Sequence, residues 1–156
     1  MVTWLFVGFL PLFLAVWYGS MLLIAWTGGW RELAHVYRAE TPIAAAHEWR
    51  NKYGQLRRLT RYNGCLNIAA NAMGMQLSLW KMFRPGHPPL FIPWDDVTTQ
   101  VERGVFFEMV RFSFRRAPDV PLRLRRDLAE EVLRASPGVR SAAWDTSPPR
   151  SSSPTP

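Results

Sequence analysis

The chain has 156 residues, 19 Lys and Arg against 12 Asp and Glu, a net charge of +7 and a single cysteine. Every charged side chain lies after residue 30, which leaves room for one modest domain and excludes a small secreted fold built on disulfides. No nucleophile elbow, phosphate-binding glycine loop or zinc-spaced Cys or His pair occurs, so the main catalytic and nucleotide-binding templates have no foothold.

Residues 1–30 form the first unit. Val2 to Trp26 exceeds the roughly 20 apolar residues that a helix needs to cross a bilayer. No base precedes the run and Trp26 and Trp30 flank its end, so an uncleaved transmembrane anchor is predicted rather than a signal peptide. Trp4 at one end and Trp26 and Trp30 at the other fit the aromatic belts of the two membrane interfaces. Trp17 and Tyr18 fall between the belts, Pro11 can kink the helix, and Gly8, Gly19 and Ser20 permit close approach of a second helix. Both a lipid-facing anchor and a helix packed into a larger complex fit this pattern. Arg31, Arg38, Arg50, Lys52, Arg57, Arg58 and Arg61 follow the span and no base precedes it. That asymmetry predicts a short N-terminus outside and the rest in the cytoplasm, at the inner membrane. The lone Cys65 agrees, since it has no partner for an internal disulfide.

Residues 31–47 are predicted as a juxtamembrane helix and linker. Leu33, Val36 and Tyr37 share one helical stripe, in a segment that continues the anchor or lies along the interface until Thr41-Pro42 ends it. From residue 48 the pattern turns to short strands. Gln55–Tyr62 and Cys65–Ala70 flank Asn63-Gly64, the dipeptide favoured in two-residue hairpins because both turn residues take positive φ. Leu66, Ile68 and Ala70, then Leu77 and Leu79 after a turn at Asn71–Gly74, alternate with a wet face of Gln76, Ser78 and Trp80. Prolines make residues 83–89 a loop leading to the strand Leu90–Ile92, which Pro93 stops. Val97–Glu102 and Val105–Phe114 form a second hairpin around Arg103-Gly104. A shift of apolar residues there from Phe107 and Met109 to Val110, Phe112 and Phe114 predicts a bulge near Met109. Ala117-Pro118-Asp119 is predicted as a turn, Val120–Leu124 as a strand and Arg126–Ala135 as a helix with Leu128, Val132 and Leu133 inward, stopped by Pro137-Gly138. Residues 137–156, rich in Pro and Ser, are predicted to be a disordered tail whose Trp144 is a candidate docking peg.

Seven short antiparallel strands followed by one helix, over residues 48–136, resemble the bacterial PH-like and GRAM-like domains, in which the helix plugs one end of a barrel. The stretch HPPLFIPWDDVTTQVE resembles the place where such domains run a strand into a turn before a long hairpin. The chain also resembles small bacterial membrane proteins with a similar Gly-His-Pro-Pro-Leu stretch, here Gly86 to Leu90. The fold class implied is one transmembrane helix plus a mainly antiparallel PH-like barrel with a C-terminal helix. A split barrel is the alternative, because the first strand, with Arg57, Arg58 and Arg61, alternates poorly.

Chemistry is sparse. His35, His47 and His87 are scattered, so no metal or cofactor is expected, and Asp95-Asp96, on a turn, suits pairing with Arg better than acid–base work. What remains is arginine: Arg57, Arg58, Arg61, Arg111, Arg115, Arg116, Arg123, Arg125 and Arg126 converge on one end or face of such a barrel. They form a candidate surface for protein carboxylates or anionic headgroups. Pro85, Gly86, His87, Pro88 and Pro89 form a stiff candidate docking loop. No nucleic-acid signature and no small-molecule substrate site is seen. The combination implies a non-catalytic accessory or scaffold subunit bracing a membrane complex, as single-span subunits do in respiratory or photosynthetic assemblies. The alternative is a tether that reads anionic lipid or peptide.

Overall fold

The computed structural model of the chain describes residues 2–57, 60–84, 86–103 and 107–136, with the side chains described from residue 8 on. The predicted tail with Trp144, the stop at Pro137-Gly138, the side chain of Trp4, and Arg58, Pro85, Gly104 and Val105 lie outside the described residues.

The apolar run is a single helix, α1 (Val2–Thr27), continuous through Pro11 and long and apolar enough to cross a membrane. Phe9, Leu10, Leu12, Phe13, Leu14, Val16 and Leu23 each expose more than half of their surface, while Ala25 is buried. At Gly28-Gly29 the chain leaves the axis: Gly28 N–H closes the last turn onto Ile24 O at 2.8 Å, and Gly29 takes φ 81°. A left-handed residue at this place ends the helix, and glycine bears it without a Cβ clash. A separate helix, α2 (Trp30–Tyr37), starts at once. It neither continues α1 nor lies free along an interface, because Trp30, Leu33 and Tyr37 are buried and pack it onto the sheet; Val36 is exposed.

Seven strands follow, β1 (His47–Leu56), β2 (Thr60–Ala70), β3 (Gly74–Leu79), β4 (Leu90–Pro93), β5 (Val97–Arg103), β6 (Glu108–Phe114) and β7 (Ala117–Arg125), and then α3 (Arg126–Arg134). They form one sheet in the order β4-β3-β2-β1-β7-β6-β5, antiparallel throughout. β4 and β5 are its two edges, joined through a 3-10 turn at Trp94–Asp96, so the hydrogen-bonded ladder is open rather than a closed barrel. All nine residues that best fit an inward face, Leu66, Ile68, Leu77, Leu79, Ile92, Val110, Phe112, Leu128 and Val132, are buried. α3 closes over the core with Leu128, Ala129, Val132 and Leu133.

Four local expectations are corrected. Asn63-Gly64 makes no hairpin: β2 runs straight through it, and the chain reverses after Leu56, where Arg57 takes φ 51° and Leu56 pairs with Thr60. Gly64 uses its positive φ of 68° inside a bulge instead, where the ladder jumps from Lys52↔Leu66 to Gly54↔Tyr62. The β5–β6 ladder is unbroken from Val97↔Phe114 to Arg103↔Glu108, so no bulge occurs at Met109; the exposed Phe107 precedes β6 and never joins its alternation. Ala117-Pro118-Asp119 is strand, and the turn lies at Arg115-Arg116; Pro118 falls where the β6–β7 register shifts and no ladder donor is needed. Gln76 is buried rather than wet, since the linker crosses it: Ile43 N–H donates to its Oε1 at 3.1 Å and its Nε2 donates to Thr41 O at 3.3 Å.

Candidate partner- and membrane-facing surface

The end of the sheet that carries the β1–β2 turn abuts the C-terminal end of α1. A Cβ at Gly28 would fall 2.9 Å from Thr60 Cγ2, and one at Gly29 would fall 2.7 Å from Val120 Cγ1. Trp30 just beyond is fully buried, edge-on to the rings of Tyr62 at 5.6 Å and His87 at 5.3 Å, and its indole N–H donates to Pro88 O at 2.9 Å. It is therefore a core residue and not an interfacial anchor, because the Gly-Gly turn swings it off the α1 axis onto the sheet. Trp26, one turn earlier, is 65% exposed and keeps the expected position at the end of the apolar run.

The proline loop is likewise not a free docking loop. A Cβ at Gly86 would lie 3.1 Å from Leu22 Cδ2 and 3.2 Å from Ala25 Cβ, so this backbone rests against α1. His87 is buried, its ring 3.4 Å by Nε2 from the Tyr62 hydroxyl, and Pro89 O accepts the Ala39 N–H at 2.9 Å. The segment brackets α1 and α2 against the sheet, and proline stiffness serves that inward role.

Seven of the nine singled-out arginines are engaged by carboxylates of this chain. Arg57 pairs with Glu32 of α2 and also receives the Arg123 guanidinium on its carbonyl at 3.0 Å. Arg111 and Arg123 sit directly opposite each other on β6 and β7, a like-charge pair that repels unless bridged. Glu102 bridges them, accepting from Arg123 Nε at 2.7 Å and lying 3.5 Å from Arg111 Nη1. Arg115 and Arg116 converge on Asp96, buried at the end of the 3-10 turn, with Arg116 Nε 3.0 Å from its Oδ2; Tyr37 donates to the same oxygen at 3.2 Å. Arg125 lies 3.3 Å from Asp127 and over the Phe107 ring, and Arg126 pairs with Glu108 and Glu130. Arg61 is exposed and forms no ion pair among the described residues. The pairing of Asp96 with arginines accords with the sequence, whereas the roles of Glu32, Glu102 and Glu108 escaped it: that of Glu102 depends on strand register, and those of Glu32 on α2 and Glu108 against α3 depend on how the helices pack on the sheet.

Arg57, Arg103, Arg111, Arg123 and Glu102 line an open cleft of about 840 Å³ that reaches Thr27 at the end of α1. Arg111 Nε is buried there with no acceptor among the described residues. The Arg123 hydrogen bond, with the charge of Arg111 beside it, holds the Glu102 carboxyl below the usual glutamate range. Burial pushes the Tyr62 hydroxyl and the half-buried Cys65 thiol up, so neither ionises readily at neutral pH. Among the described residues no group of three or more His, Cys, Asp or Glu could hold a metal ion. Comparison with protein-family models, curated proteins and solved structures finds no match.

Proposed function

We propose that this chain is a non-catalytic accessory or scaffold subunit, with α1 crossing the cytoplasmic membrane and a PH-like domain bracing a larger membrane complex from the cytoplasmic side. The observation that carries this reading is the fixed seating of the domain on its helix. Ala25 of α1 and Trp30 of α2 belong to the same buried core as the strands, and the two glycines between them form an ordered turn rather than a linker. A tethered sensor gains reach from a flexible connection. A brace needs a fixed orientation, which the packed junction supplies.

The dimensions agree. A polar domain cannot follow α1 into hydrocarbon, so the stretch that it grips, Leu22 to Thr27, belongs outside the apolar layer. The preceding stretch, Val2 to Met21, rises about 30 Å, the thickness of the hydrocarbon core. The bases that follow α1 support the cytoplasmic orientation. The Arg-lined cleft favours a second reading, in which the chain stands alone as a tether for anionic headgroups or peptides.

Mild detergent extraction of native membranes, then a native gel and mass spectrometry, separates the two. The chain is expected to migrate with other membrane proteins in a defined complex; migration alone, with anionic lipid bound, overturns the accessory reading in favour of the tether.

A further inference from the structure

The connection between β3 and β4 carries an unusual exposed group. Trp80 is 43% and Met82 55% exposed, with Lys81 and Arg84 exposed beside them. The apolar pair is not loose. Trp80 Nε1 donates to Asn51 Oδ1 at 2.6 Å, its ring lies 6.5 Å from that of Phe83, and residues 81–83 form a 3-10 turn. With the indole N–H already satisfied, what Trp80 shows outward is ring. Two residues past Arg84, Gly86 rests on Leu22 and Ala25 of α1. The turns closed by Phe83 N–H on Trp80 O and by His87 N–H on Arg84 O, both at 2.9 Å, keep this segment compact, so its Arg84 end stays close to the last turns of α1.

We propose that Trp80–Arg84 is a second membrane contact, bedded in the headgroup layer of the bilayer that α1 crosses, with Trp80 and Met82 at the acyl boundary and Lys81 and Arg84 on anionic phosphates. This rests on the reading of α1 as a span. The chemistry matches the place: an aromatic ring with an apolar body suits the membrane interface, and each base near an anionic leaflet adds about 1 kcal/mol. A protein-docking patch would not need to sit beside the base of the span. A contact there, off the helix axis, fixes the tilt of the joined helix and domain against the bilayer, which one helix alone leaves free.

Depth-resolved quenching on the full chain in nanodiscs of phosphatidylcholine and phosphatidylglycerol tests it. After Cys65→Ser, an environment-sensitive fluorophore is placed by Met82→Cys, by Met73→Cys or by Leu14→Cys, all exposed positions. Met73 precedes β3 and Trp80 follows it, about 20 Å apart, so Met73 serves as the aqueous control. The label at 82 is expected to be quenched by a nitroxide near the headgroups several-fold more than at 73, while position 14 responds to a nitroxide deep in the chains. Lys81→Gln with Arg84→Gln is expected to reduce the quenching at 82 in anionic discs. A label at 82 that behaves like 73 while 14 is quenched deep overturns the contact and leaves the span intact. An unquenched label at 14 removes the span and the contact with it.

Discussion

Two tryptophans four positions apart have opposite fates. Trp26 is 65% exposed at the end of the apolar run, whereas Trp30 fills the space between Tyr62 and His87. Trp30→Ala is expected to cost about 3–5 kcal/mol in denaturant unfolding of the detergent-solubilised chain, the usual range for removing a fully buried Trp. Trp26→Ala should leave the unfolding midpoint unchanged, since most of that side chain is exposed. Glu102 links charge to acidity. Its carboxyl is held low in the folded state, so its contribution is present above the unfolded value near pH 4.3 and is lost as pH falls through the folded one. Thermal melts down a pH series should show Glu102→Gln less stable than the wild type at neutral pH, with a smaller drop on acidification. Equal acid limbs would mean that the bridge between Arg111 and Arg123 contributes nothing.

Elements were legible where period decides and obscure where tertiary anchoring decides. The alternation in Leu66–Ala70 and Leu77–Leu79, the β5–β6 hairpin and the amphipathic α3 follow directly from residue spacing. The β1–β2 turn does not, because local preference placed it at Asn63-Gly64, while the fold places it at Arg57, whose N–H donates to Pro121 O at 3.1 Å and whose side chain reaches Glu32. Long-range contacts outweighed turn propensity there. The same limit applies to the arginine face: the arginines could be counted in the sequence, but their internal carboxylates depend on register, so the surface read as free cations is largely neutralised. Glycine positions test this difference. Gly64 has positive φ but open space around an added Cβ, so Gly64→Ala should cost about 1 kcal/mol and Gly64→Asn less. Gly29→Ala meets Val120 as well as the strained φ and should cost more by the same unfolding assay. Equal losses would mean that the α1–α2 turn relaxes freely.

At the scale of the molecule, the open sheet, α2 and the base of α1 share one core, and that continuity makes a prediction about where the domain begins. A fragment starting at Gly28 keeps Trp30, Leu33 and Tyr37 and is expected to give dispersed amide signals in NMR. One starting at Arg38 loses all three and is expected to give the collapsed signals of an unfolded chain. Dispersed spectra from both would show that α2 is an ornament on the sheet.

The Gly28-Gly29 turn has a consequence for inheritance as well. A membrane span joined by a loose tether can be exchanged for another by recombination, since neither part reads the other's shape. Here Ala25 and the two glycines are cut to fit Gly86, Thr60 and Val120, and Trp30 to fit Tyr62 and His87. Span and domain are therefore expected to change together, as one unit of variation, with substitutions at Leu22 or Ala25 answered across the junction rather than within the helix.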